Sequence, residues 1–206
     1  MADRPILFSA PMVRSLLAGT KTQTRRVAKP VRHPDLGNMY APGALVLERE
    51  PQHVIDRCNP YGQPGDRLWV RESWRAPLAY ELTPPRDIPA GTPIAYQSDG
   101  AGTLPHLNAG KLRPGMFMPR WASRITLEIT AVRVERLQDI SREDAMAEGI
   151  VIQPDGGYGL ADTSHYHATD PRHSYWSLWE AINGPGSVES NPWVWAVTFA
   201  LASPNA

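Results

Sequence analysis

The chemistry in this chain concentrates in one stretch, Gly19-Thr20-Lys21-Thr22-Gln23-Thr24-Arg25-Arg26. A lysine, three hydroxyls and two arginines make it a dense set of hydrogen-bond donors. A desolvated lysine amine, its pKa lowered by neighbouring cations, can take the proton of a hydroxyl and turn that oxygen into a nucleophile. The same residues also fit a solvated basic strand edge, and spacing alone leaves both readings open. The second candidate is Glu148, just before Gly149 at the end of a capped helix. The helix macrodipole is negative there, which is a poor place for an anion and a good one for a proton donor. A surface glutamate with helix propensity is the plain alternative.

Two further sets carry weaker signals. His165-x-His167 with His173 has an alternation that can bind a metal, but no carboxylate or thiol stands at ligand spacing, so neither metal nor cofactor is expected. Trp69, Trp121, Trp193 and Trp195 fall on predicted strands and read as core. Trp176 and Trp179, three apart, read as one packed helix face. Trp74, beside a proline-rich segment, is the candidate platform for stacking a base. The chain has no phosphate-binding glycine loop, no Gly-x-Ser-x-Gly and no metalloprotease histidine motif.

The elements around these residues are legible in the pattern. Ser9 offers an N-cap, Pro11 suits a first turn, and Met12, Val13, Leu16 and Leu17 recur at helical spacing before Gly19. Residues 11–18 therefore form a helix and 22–27 a strand, which puts the reactive stretch at a helix–strand junction. Residues 29–42 read as loop, and 44–47 and 54–55 as weak strands. Gln63-Pro64-Gly65-Asp66 is a turn that delivers Leu68-Trp69-Val70 as a buried strand. Residues 76–119 are dense in proline and glycine and read as a loop-rich insert with one short strand near 94–97. Its expected use is as a lid. Residues 121–136 make the best strand: Ile125, Leu127, Ile129 and Ala131 alternate, then the apolar phase slips to Val132 and Val134, which predicts a β-bulge. Ser141-Arg142-Glu143-Asp144 resembles a capping box and opens a helix that ends at Gly149. Residues 153–172 read as loop, 175–182 as a short helix and 193–201 as the closing strand.

Composition narrows the class. The 206 residues carry 21 Lys+Arg and 21 Asp+Glu, so the net charge is zero and a nucleic-acid coat over the whole protein is excluded. The charge is uneven, however: seven basic residues face one acid up to Arg32, and nine acids face two basic residues after Leu137. The basic end reads as a local anion-binding surface. One cysteine, Cys58, excludes a disulfide framework and a cysteine-built zinc site. The 21 prolines and 16 glycines exclude a helical bundle and point to short strands with many turns. The longest apolar run, residues 193–202, is too short to span a bilayer, so a soluble cytoplasmic protein without a membrane partner is expected.

The stretch from Ile6 to Arg26 resembles the ASCH domain family, whose fold is similar to the PUA RNA-binding domain. Of that family's signature, Gly-x-Lys-x-x-Glu-x-Arg, this chain has Gly19, Lys21 and Arg26 in register, with Thr24 where the glutamate stands. That replacement is similar to a branch of small ASCH amidohydrolases that remove the acetyl group from acetylcytidine. The run from Arg4 to Arg26 also resembles larger bacterial and prophage-encoded ASCH proteins. The resemblance covers residues 6–29, 62–72, 121–150 and 192–201. It implies an α+β fold, a PUA-like bent β-barrel with short rim helices and a Pro/Gly-rich insertion. It also implies one domain over 1–206, with insertions at about 30–60, 76–119 and 151–190. By the same resemblance Lys21 is the base, Thr24 the nucleophile and Glu148 the proton donor of a hydrolase acting on the N-acyl amide of a cytidine. Arg25, Arg26 and Trp74 would hold the nucleoside or RNA. The alternatives are a non-catalytic RNA-binding module and an ASCH-type ribonuclease.

Overall fold

The computed structural model describes residues 1–100, 108–160 and 163–202. The chain opens with strand β1 (Asp3–Leu7), helix α1 (Ala10–Leu17) and strand β2 (Gln23–Val27). Helix α1 ends as its sequence demands. Gly19 takes the left-handed conformation at φ 73°, Gly19 N–H donates to Leu16 O and Thr20 N–H donates to Ser15 O. This paired closure satisfies the last helical carbonyls and turns the chain sharply into β2.

Helices α2 (Ala44–Leu47) and α3 (Gln52–Cys58) follow. Both replace the weak strands expected there. Val54 and Cys58 are the buried residues of α3, four apart, and that is a helical spacing rather than an alternating one. Strands β3 (Arg67–Arg71) and β4 (Thr126–Arg136), helices α4 (Arg142–Ala147) and α5 (Pro171–Asn183), and strand β5 (Trp193–Leu201) complete the frame.

The main sheet runs in the order β1-β3-β4-β5-β2, with β1 parallel to β3 and the other neighbours antiparallel. β1 and β2 lie at its two ends, and no pairing closes it into a barrel among the described residues. The architecture is a mixed α+β one built on this sheet. The expected bulge is present: Thr198 pairs with Ala131 and Phe199 with Ile129, so Thr130 is the extra residue in β4. The slip keeps Val132 and Val134 in the core after Ile129 and adds local bend and twist. Strand β5, between β4 and β2, is covered on both faces, with Val194, Trp195, Ala196 and Val197 all buried. No helix among the described residues is long and apolar enough to cross a membrane.

Two segments read as loop have structure of their own. Ile150–Ile152, Tyr158–Leu160 and Tyr166–His167 form a small antiparallel sheet, whose polar composition had hidden it. The insert has its own core, in which Trp74, Ala76, Ile88, Met118 and Ala122 are buried together. Trp121 lies in a turn of 3-10 helix, Arg120–Ala122, rather than on β4. Buried Glu72 ties this unit to the frame. It accepts from Ser98 and from Arg124 Nε at 3.0 Å, and Arg124 also pairs with Asp99 at 2.6 Å.

The predicted turn before β3 is held by one carboxylate. Asp66 accepts from Ala2 N–H at 2.6 Å and from Gln63 N–H at 3.2 Å, joining the chain start to the turn. The Ala2 N–H first, then the Gln63 N–H, hold the Asp66 carboxyl below its ordinary value against the cost of burial. A depressed native pKa contributes stability above the unfolded value, and the contribution fades as pH falls through the native one. Asp66→Asn should therefore cost roughly 1.5–3 kcal/mol at neutral pH. In urea unfolding the gap between wild type and variant should close as pH falls through the depressed native pKa, below the ordinary aspartate value; a gap that stays constant with pH excludes this role.

Candidate functional site

The reactive stretch folds where β2 meets the C-terminal end of α4. Ser141 caps α4 by accepting from Asp144 N–H at 3.0 Å, and Gly149 at φ 104° lets the chain leave it. Beyond the last turn, Thr22 N–H donates to Ala147 O at 2.8 Å, and Lys21 and Glu148 form an isolated antiparallel bridge. The backbone of the motif thus satisfies a helix terminus and fixes Glu148 against Lys21.

Lys21 and Glu148 are each only 3% exposed. Lys21 Nζ donates to Glu148 Oε2 at 2.7 Å, to Gln23 O at 2.8 Å and to Glu148 O at 2.9 Å. Three acceptors match the three N–H groups of an ammonium, so the resting form is the ion pair. Burial nonetheless lowers the Lys21 pKa from its ordinary value; the Glu148 charge opposes this, and Arg26 and Arg25 add to it. The proton on Lys21 is held by its partners and not by the medium.

Arg25 is buried beside the pair. Its Nε and Nη2 donate to Glu135 Oε1 at 2.9 and 2.6 Å, and Nη2 also donates to Asp144 Oδ2 at 2.9 Å. Its Nη1 donates to Gln23 Oε1 at 2.6 Å and to Glu148 Oε1 at 3.2 Å. All five N–H donors of the guanidinium are used inside the protein. Burial works against its charge, but Glu148 and Glu135 outweigh burial and raise its pKa. Arg25 also lines the cavity described below, with its donors already engaged inside the protein, one of them on Glu148. Asp144 is shared further with Arg133 at 2.5 Å, which makes a network of three cations and three carboxylates.

Thr24, 2% exposed, lies in register with Val197 of β5. Side chains alternate along a strand, so Thr24 and Arg26 share one face of β2 while Gln23 and Arg25 take the other. Thr24 and Glu148 both line a cavity of about 50 Å3, roofed by Tyr175, Leu178 and Trp179 of α5. Lys21 stands behind it: its Nζ bonds the carbonyl of the peptide that leads into Thr24. Arg26 reaches the cavity mouth, with Nη2 donating to Leu7 O at 2.7 Å and the guanidinium 5.4 Å from the Phe8 ring. Glu143, the nearest alternative to Glu148, sits exposed in the first turn of α4.

Trp74 does not stand near this site. It is fully buried in the insert, with Arg113 5.6 Å above its ring, so its faces are closed to a base. The histidines of the 165–173 segment are on the outer surface, with His173 Nδ1 3.2 Å from His167 Nε2 and His165 Nδ1 3.0 Å from Ser177 Oγ. Among the described residues no group of three or more His, Cys, Asp or Glu could hold a metal ion. The roof of the cavity escaped the sequence reading. Tyr175 is buried, and burial first, then the Glu148 charge, holds its phenol well above the ordinary value, so it stays a neutral donor. Trp179, 4% exposed, has no partner for its indole N–H among the described residues. The available signal was the aromatic repeat at 175, 176 and 179, which reads equally as packing.

No protein-family model and no curated protein matches the sequence. A solved structure, protein EF3133 from Enterococcus faecalis V583, of family DUF984, aligns over 100% of this chain and 85% of that chain at 11% identity and a TM-score of 0.37.

Removing one partner from a buried ionic network leaves the others uncompensated, and the cost exceeds that of replacing a pair. Arg25→Met should lose roughly 3–5 kcal/mol of unfolding free energy in urea titrations. Adding Glu148→Gln to that chain should cost less than the sum of the two single changes. A loss below about 1 kcal/mol, the range of an exposed pair, would show that Arg25 is not holding the site.

Proposed function

We propose that this protein hydrolyses an N-acyl amide on a cytosine-type base, with Thr24 as nucleophile, Lys21 as base and Glu148 as proton donor. The observation that supports it best is the shared cavity: Thr24 and Glu148 line one small space, and Glu148 is fixed by Lys21 and Arg25. The resemblance of the Lys21-to-Arg26 motif to the ASCH family, with its PUA-like fold, points the same way.

The buried pair prepares both partners in one move. Transfer of the Lys21 proton to Glu148 turns ammonium and carboxylate into amine and carboxylic acid with no net change of charge. The amine takes the Thr24 Oγ proton as that oxygen attacks the acyl carbonyl. Glu148 then protonates the leaving exocyclic nitrogen, which frees the base and leaves an acyl-threonine ester. Glu148, now a carboxylate, takes a proton from water as the water oxygen attacks the ester. Lys21 returns its proton to Thr24 Oγ as the acid departs, and Glu148 returns its own to Lys21. The neutral phenol of Tyr175 and the free N–H of Trp179 are donors for the carbonyl oxygens of substrate or intermediate.

Burial of Lys21 and Arg25 removes two cations that a phosphate-clamping strand would present, which weighs against a purely RNA-binding surface. Three measurements on acylated cytidine test the reading. Thr24→Ala should reduce turnover to the background rate. Lys21→Arg should be as damaging as Lys21→Ala, each by about 10²–10⁴-fold, because arginine keeps its proton. The rate should also fall at high pH as Lys21 loses its proton, and that limb lies below the ordinary lysine range because burial lowers the Lys21 pKa. Full activity in Lys21→Arg, or no turnover of any acylated nucleoside, sinks the hydrolase and favours the binding module.

A further inference from the structure

We propose that the wider cleft beside the Thr24 cavity binds the phosphate of a nucleotide unit, with Arg26 as the anion's partner and the insert as the far wall. The base end of that ligand rests on the reading above; the phosphate end does not. The cleft, about 340 Å3, shares Met12, Arg26 and Ile182 with the inner cavity, so the two spaces meet along one seam. The inner cavity of about 50 Å3 is smaller than the roughly 150 Å3 that accommodates benzene. It therefore admits a group of a few heavy atoms beside Thr24, and the rest of the ligand must occupy the cleft.

The charge at the seam sets the chemistry of that remainder. Lys21 and Arg25 are consumed by carboxylates, whereas Arg26 has no carboxylate partner among the described residues and keeps donors beyond its bond to Leu7 O. It stands against apolar walls from Phe8, Met12 and Pro114, where a charge-assisted bond to a bidentate oxyanion is strong. Ser9 and Ser73 add hydroxyls to the same cleft, suited to a sugar or phosphate oxygen. The field of α1 has the same sign: its first turn holds no acid, and the Ser9 side chain makes no cap bond. The insert completes the wall. Gly115 has no room for a Cβ, which would lie 2.8 Å from Leu7 Cδ1 and 2.9 Å from the Glu72 carbonyl carbon, so residues 114–116 are pressed onto the frame at this cleft.

Calorimetric titration of the intact protein with the four ribonucleosides, their 5′-monophosphates and a hexanucleotide lacking terminal phosphates tests this. At least one monophosphate should bind about tenfold or more tightly than its nucleoside. Arg26→Gln should bring that ratio to within roughly twofold of unity, and Arg26→Lys should keep part of it because the charge remains. A hexanucleotide that matches the monophosphate, and weakens equally in Arg26→Gln, identifies the phosphate as internucleotide; a much weaker one identifies a free nucleotide. Equal affinity for nucleoside and monophosphate, or a preference untouched by Arg26→Gln, overturns the inference. Hydrolysis of acylated cytidine without phosphate preference sinks this site alone. Phosphate preference for any base without hydrolysis sinks the amidohydrolase alone.

Discussion

The structure turns on the cost of putting Lys21, Arg25 and Glu148 out of water. Each such ion carries a desolvation penalty of several kcal/mol even after relaxation. That penalty is offset only when every donor and oxygen finds a partner in good geometry. Here the accounting closes: three acceptors meet the Lys21 ammonium, and four take the five bonds of the Arg25 guanidinium. Such an arrangement is a poor way to gain stability, since well-packed apolar residues serve as well or better.

The surrounding elements follow from that requirement. Glu148 can serve the pair only if α4 ends where it does, so Ser141 and Gly149 bracket the helix. Lys21 can reach it only if α1 stops abruptly, which the left-handed Gly19 achieves. Arg25 meets Glu135 because β2 pairs with β5, and β5 in turn with β4. Thr24 falls on the opposite face of the same strand by simple alternation, and α5 closes the space over it with aromatic side chains. β2 lies at the end of the sheet, and the ionic network and the cavity meet there, since Arg25 and Glu148 belong to both.

Much of this frame was legible in local sequence. The caps at Ser141 and Gly149, the turn at Gly19, the 63–66 turn and the β4 bulge each rest on residues within a few positions of one another, where stereochemistry speaks for itself. Lys21, Thr24 and Glu148 were legible as candidates, the first two from the motif and the third from its helix end. What escaped depends on distant contacts. Arg25 reads as a surface cation until Glu135 and Asp144 fold onto it. Trp74 reads as exposed until Ile88 and Met118 cover it. Barrel closure rested on family likeness, and the strand order β1-β3-β4-β5-β2 does not close it. The helices at 44–47 and 52–58 were missed for a local reason, since short apolar runs carry no decisive period.

The uneven charge along the chain has the same origin as the network. The basic N-terminal end reads by itself as a surface for anions, and the acids of the later half stand apart from it in sequence. In the fold they meet: Lys21 and Arg25 come from the basic end, and Asp144 and Glu148 from the acidic one. Opposite charge at distant positions of a neutral chain therefore records long-range pairing here. It also explains why the motif presents so little cationic surface despite its composition. Among the three cations of the motif, Arg26 is the one outside that pairing. Its neighbours are an aromatic ring and a carbonyl, not a carboxylate, and it stands where the cavity opens to the cleft. Among the motif's cations Arg26 alone lacks a carboxylate within the described residues, as the phosphate site proposed above requires.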